Sequence, residues 1–156
     1  MKKIKAHSLT GRITPKLMEQ AFRAVKRNRG AAGVDKVSIN MFDANREENL
    51  AALMRDLKTG AFRPRPLRRV YIPKGPGSKK LRPLGIPTVA DRIAQMVAKL
   101  YFEPLVEPHF HPDSYGYRPG KSALDAVRTA RERCRHQDWL IDLDIKGLLI
   151  IWIMDC

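Results

Sequence analysis

Acidic residues are scarce in this sequence: 16 Asp and Glu stand against 30 Lys and Arg in 156 residues, a net charge of +14. That imbalance argues for a polyanionic partner, nucleic acid first, held with strong salt dependence. Charge alone fits a ribosome-like basic protein equally well. Cysteine is scarce too. Cys134 and Cys156 are too few for a disulfide framework, and neither lies in a zinc-type pair. A reducing, cytoplasmic setting is therefore expected. His109 and His111 form an HxH without a companion Cys/His cluster, a poor basis for a metal site. No apolar run approaches the ~20 residues of a membrane span. The basic start MKKIKAHSLTGR lacks the apolar core of a signal peptide. No membrane partner is expected.

What is present is mostly helix punctuation. Thr14-Pro15 reads as an N-cap followed by proline in the first turn, and Met18, Phe22 and Val25 then mark an amphipathic helix to about Asn28. Leu50, Leu53, Met54 and Leu57 form a second apolar face, which Gly60 is placed to end. Phe62-Arg63-Pro64-Arg65-Pro66 must run extended, because each proline pushes its predecessor out of the helical region. Thr88 begins another helix with Asp91 as a capping-box partner, and Ile93, Met96, Val97, Leu100 and Tyr101 form its buried face. Pro104 and Pro108 limit its length. Asp91-Arg92 reads either as a first-turn charge pair or as a support for the preceding hairpin. Ser122 caps a last helix, with Leu124, Val127 and Cys134 on an inner side and Arg128, Arg131 and Arg135 on an outer one.

Between these helices lie the segments with chemistry. Arg29-Gly30-Ala31-Ala32-Gly33-Val34-Asp35 carries two glycines that let its backbone approach something closely, with Lys26, Arg27 and Arg29 beside them. Val70-Tyr71-Ile72 and Leu81 to Ile86 flank a turn-prone tip, so a hairpin is predicted. Lys74, Lys79, Lys80 and Arg82 crowd that hairpin and repel one another unless an anion answers them: a nucleoside triphosphate or a nucleic-acid backbone. A solvated basic loop is the alternative. In HFHPDSYGYRPG, Tyr115, Tyr117 and Arg118 combine stacking surfaces with a phosphate-binding charge, although tyrosines also pack under loops. Trp139 to Ile145 reads as a buried strand with Asp142 and Asp144 on one face. Two acids in an apolar strand require a cation or an arginine, and Mg2+ suits carboxylates shared with phosphates.

Four ordered stretches, RNRGAAGVD (27–35), YIPK through RPLGIPT to DR (71–92), SYGYRPGKSALDAV (114–127) and LIDLDIKG (140–147), resemble the group II intron-encoded reverse transcriptases. The resemblance implies an α+β fold: the fingers and partial palm of a right-hand polymerase. Residues 1–138 are then the fingers region with its N-terminal extension, 139–147 the first palm strand, and 148–156 a separate tail. It implies RNA (intron RNA and template-primer) and dNTP as partners, and two Mg2+ ions as cofactors of the intact family. Asp144 matches the first catalytic aspartate, and Asp144 with the carbonyl of Ile145 matches metal ligands. Lys74, Arg82 and Arg118 match nucleotide-binding positions. Lys26, Arg27, Arg29, Lys79, Lys80, Tyr115 and Tyr117 are the expected template and RNA contacts.

The resemblance stops after Gly147. The family continues with a pattern like xFDNIDH, whereas this chain reads LLIIWIMDC, with Leu149 at the expected aromatic position. One permitted set of codons for that tail, CTT TTG ATA ATA TGG ATC ATG GAC TGC, read from the last base of the first codon, gives Phe-Asp-Asn-Met-Asp-His-Gly-Leu. A base lost near the Leu148–Leu149 boundary is thus the expectation, and the gene's own codons decide it. The later paired aspartates of the family have no counterpart here, so little or no polymerase activity is expected from the chain alone.

Overall fold

A computed structural model describes residues 9–143. They fall into two compact units, one ending at Pro108 and one beginning at His109. That division lies inside the 1–138 segment expected to be one fingers region.

The first unit is helical with one hairpin. After a 3-10 turn at Leu9–Arg12 come α1 (Pro15–Arg27), α2 (Ile39–Ala44) and α3 (Arg46–Thr59). Thr14 caps α1 as expected, its hydroxyl oxygen accepting from the Leu17 N–H at 3.2 Å with Pro15 in the first turn. Met18, Ala21, Phe22 and Val25 are buried on one side of it. The short helix α2 was not predicted. Ser38 caps it through the Met41 N–H, and Ile39 and Phe42 go inward. Along α3, Leu50 and Leu53 are buried while Met54 and Leu57 pack at the margin. Gly60 ends it in the left-handed conformation at φ 72°, which costs glycine little because it has no Cβ.

The connector from Ala61 to Leu67 has neither helix nor strand, in keeping with its prolines. It leads to β1 (Arg68–Pro73), which pairs antiparallel with β2 (Leu81–Ile86) in the register Val70↔Leu84 and Ile72↔Arg82. The ladder extends one step beyond the strands, where Lys74 N–H donates to Lys80 O at 3.0 Å. Most hairpin residues are exposed on both faces. The predicted hairpin is therefore present, but it adds little to the core.

The long helix α4 (Val89–Val106) closes the unit, packing on α1 and α3. Val89, Ile93 and Val97 are buried in the same cluster as Phe22 and Leu53. α4 runs through Pro104 and ends at Val106, two residues before Pro108, where a 3-10 turn at Glu107–His109 follows. Pro104 brings no N–H to the helix, so the backbone bond to the carbonyl four residues earlier is missing there.

In the second unit, loop 109–122 leads into α5 (Ala123–Cys134). Its capping box is complete: Asp125 N–H donates to Ser122 Oγ, and Ser122 N–H donates back to the Asp125 carboxylate at 3.0 Å. The Ser122 hydroxyl bond holds the Asp125 carboxyl below its ordinary value. The expected inner side of α5 is uncovered among the described residues: Leu124 is 75% exposed, Val127 64%, and Cys134 is also exposed. Residues 139–143, expected to start a buried strand, carry no strand assignment, and Trp139 is 90% exposed. A strand requires a neighbour for its backbone N–H and C=O groups, and no such neighbour lies among the described residues. Asp144 and Ile145 fall outside them, as does the tail 148–156.

Candidate nucleic-acid interface

In the first unit the candidate interface is built around the start of α4. Thr88 is fully buried there; its hydroxyl accepts the Asp91 N–H at 3.2 Å and donates to Asp91 Oδ2 at 2.6 Å. The loop after α1 lies against this cap. Gly33 is buried, and a Cβ on it would stand 2.7 Å from Thr88 Cα and 2.8 Å from Thr88 N. The close approach anticipated from the glycines is thus made to the protein's own backbone. Asp35 closes the loop by accepting the Val37 N–H at 3.1 Å, and it lies 3.8 Å from the Arg65 guanidinium.

Asp91 and Arg92 act on different segments. Asp91 Oδ1 accepts the Arg65 N–H of the connector at 3.4 Å, whereas Arg92 Nη2 donates to Ala31 O of the loop at 2.6 Å. One helical turn therefore anchors the connector that feeds the hairpin as well as the loop after α1. Sequence reading paired these two residues with each other or with the hairpin. No local pattern could have revealed a bond spanning 61 positions.

The predicted basic residues divide by how their charge is met. Lys26 is answered internally, its Nζ donating to Asp43 Oδ2 at 2.6 Å, and that bond holds the Asp43 carboxyl below its ordinary value. Arg27 and Arg29 are exposed, and Arg29 adopts a left-handed φ of 47° that non-glycine residues rarely take. Lys74, Lys79, Lys80 and Arg82 are all exposed on the hairpin. Among the described residues no carboxylate forms an ion pair with any of these four. Such a cluster is electrostatically incomplete, and phosphate oxygens are the matching acceptors.

In the second unit the aromatic loop is tied down. Tyr115 Oη and Thr129 Oγ1 are hydrogen bonded at 2.8 Å, and Lys121 Nζ lies 4.8 Å from the Tyr115 ring centroid while donating to Pro112 O. The Arg118 guanidinium stands 4.2 Å above the Phe110 ring. Tyr117 alone of the three predicted contacts projects freely, 105% exposed at φ 56°. Arg133 Nη1 and Nη2 each donate to Asp113 at 2.8 Å, a two-pronged clasp between the loop and α5. Those bonds, reinforced by the charge of Arg133 and then by His111 and Lys121, hold Asp113 below its ordinary value.

A pH dependence follows from that clasp. A depressed folded-state pKa stabilises the loop above the unfolded carboxylate value of about 3.9, and the contribution is lost as pH falls through the lower folded value. Carboxyl NMR is expected to show Asp113 titrating below free aspartate. A titration at or above that value would mean that the clasp does not form in solution.

Reverse transcriptases use divalent metal ions. Among the described residues no group of three His, Cys, Asp or Glu side chains comes together to hold one. No helix there is long and apolar enough to cross a membrane.

Residues 72–148 match the family described as reverse transcriptase (RNA-dependent DNA polymerase). The group II intron-encoded protein LtrA of Lactococcus lactis is 34% identical over 135 residues, which is 86% of this chain and 22% of that protein. This chain carries a reverse transcriptase domain segment homologous to group II intron-encoded proteins. Protein YkfC of Escherichia coli K12 is 43% identical over 119 residues, 75% of the chain and 31% of that protein. An uncharacterized 91 kDa protein in the cob intron of Schizosaccharomyces pombe is 33% identical over 114 residues, 73% of the chain and 13% of that protein. The chain thus spans less than a third of the length of these curated relatives. It is a reverse transcriptase domain segment homologous to LtrA, and its mixed helices and two-stranded sheet are consistent with part of that fold.

Proposed function

We propose that this chain is the RNA-binding fingers segment, with the start of the palm, of a right-hand RNA-directed DNA polymerase that acts on group II intron RNA. The observation that carries this reading is the set of cations Lys74, Lys79, Lys80 and Arg82 on an exposed hairpin, with no carboxylate partner among the described residues. Arg27 and Arg29 supply template contacts, Lys79 and Lys80 extend them, and Tyr117 offers a stacking face. Lys74 and Arg82 are nucleotide-binding residues for an incoming dNTP, and Arg118 takes a nucleotide-binding role from its match to the family motif alone. Asp144 and the Ile145 carbonyl are this chain's contribution to a Mg2+ site, which rests on the sequence resemblance. Residues 139–147 form the first palm strand once a neighbouring strand pairs with them. The family match runs to Leu148, and an out-of-frame tail over 148–156 is the reading that the gene's codons test.

Filter binding of the chain to group II intron RNA tests the RNA half of the proposal. Affinity is expected to fall steeply with salt, with intron RNA preferred over an unrelated RNA of equal length. Primer extension on an RNA template with Mg2+ and dNTP tests the polymerase half. The chain alone is expected to extend little or nothing, so extension would exclude a non-catalytic intron-RNA-binding module, whereas binding without extension fits both readings. Absence of salt-dependent binding would overturn both and leave the non-functional remnant of a broken gene.

A further inference from the structure

Arg92 holds the loop after α1 by a fork. Its Nη2 donates to Ala31 O at 2.6 Å and its Nε to Thr88 O at 3.4 Å. A Cβ on Gly30 would stand 2.1 Å from Arg92 Nη1, so glycine at that position is what lets the guanidinium reach its seat. The side chain is half-buried, and burial lowers its pKa while the charge of Asp35 opposes the shift. A guanidinium remains charged under such a shift. Next to this seat, Arg29 is kept in a left-handed backbone conformation that a bulky side chain leaves when nothing constrains it.

These observations describe a latch rather than a ligand contact. The planar fork is directed at two backbone carbonyls of the protein itself. Its effect is to remove conformational freedom from the segment that carries Arg27 and Arg29. A loop ordered before binding loses less entropy when it meets its partner. We propose that Arg92 is a positioning residue for RNA binding: it fixes loop 28–33 on the first turn of α4, so that Arg29, beside Arg27 at the end of α1, meets the RNA backbone in one arrangement. This role rests on the RNA-binding reading above. It assigns to Arg92 no contact with RNA.

The test compares the whole chain with Arg92→Ala, Arg92→Lys and Gly30→Ala, using a single-stranded RNA oligonucleotide as the probe. Each Arg92 change is also made in an Arg27→Ala/Arg29→Ala background. Arg92→Ala is expected to weaken binding roughly tenfold in the otherwise native chain and hardly at all in that background, because the coupling runs through Arg29 and its neighbour Arg27. Lysine keeps the charge but cannot make the fork, so Arg92→Lys is expected to restore little. Gly30→Ala displaces the guanidinium without removing charge, and it should mimic Arg92→Ala.

Amide hydrogen exchange over 29–35 is expected to speed up in both Arg92→Ala and Gly30→Ala. If Arg92→Ala loses its helical circular dichroism, Gly30→Ala carries the test. Full rescue by lysine, an effect that simply adds to that of Arg27→Ala/Arg29→Ala, or unchanged exchange overturns the positioning role. If the native chain binds no RNA, the functional reading fails first. The exchange arm then still shows separately whether the latch exists.

Discussion

Phe22→Ala is expected to abolish cooperative unfolding of the unit that ends at Pro108. The Phe22 ring is 1% exposed and stacks on Phe42 with centroids 5.8 Å apart and planes 24° from parallel. The Arg46 guanidinium carbon lies 6.0 Å from the same ring centroid. Phe22 therefore joins α1 to α2 and to the start of α3, on a helix that also packs along α4. Removing a buried phenyl ring costs about 3–5 kcal/mol, against a total of about 5–15 kcal/mol for a whole domain. The exposed hairpin adds little burial, so this unit has small reserves. Urea unfolding followed by far-UV circular dichroism is the suitable measurement, because Trp139 and Trp152 lie outside this unit and tryptophan emission does not report on it. A loss below about 1 kcal/mol would mean that Phe22 is not at the centre of the core.

The parts of this structure that were legible in the sequence are those fixed over one or two helical turns. Thr14, Thr88 and Ser122 each accept a backbone N–H three residues ahead, and spacing alone predicts such caps. Gly60 and the prolines of the connector likewise act through their own backbone angles. The partner of a glycine is a different matter. That Gly33 needed a close approach was readable, but that Thr88 would supply it depends on how α1 and α4 pack. The same holds for Lys26, whose charge is taken up by Asp43 from α2, a helix too short to leave a periodic signature. Apolar patterning on α5 and in 139–143 was read as burial, yet amphipathicity records only a side able to be covered. Among the described residues nothing covers it. Of the proposed nucleic-acid contacts, the exposed hairpin cations were the easiest to read, because four like charges in one turn-prone stretch need no tertiary information to be noticed.

Replacing Lys74, Lys79, Lys80 and Arg82 together by alanine is expected to lower affinity for single-stranded RNA roughly several hundredfold at 0.1 M salt. Each neutralised phosphate contributes about 0.7 to the slope of log affinity against log salt on a single strand, so four lost contacts flatten that slope by about 3. The fold should survive the change. All four side chains are exposed, and surface substitutions of this kind usually shift stability by less than about 0.5 kcal/mol each. A general attraction of a +14 chain for any polyanion is the competing explanation. It is separated by a variant with the same loss of charge elsewhere in the unit, at Lys16, Arg23, Arg55 and Lys58. Two of these already face acids, Arg23 at 2.9 Å from Glu19 and Arg55 at 3.5 Å from Asp56. If the hairpin is the binding element, the control variant keeps most of its affinity and most of its salt slope. Equal losses in the two variants would show that the charge acts as a diffuse field and would remove the hairpin from the interface.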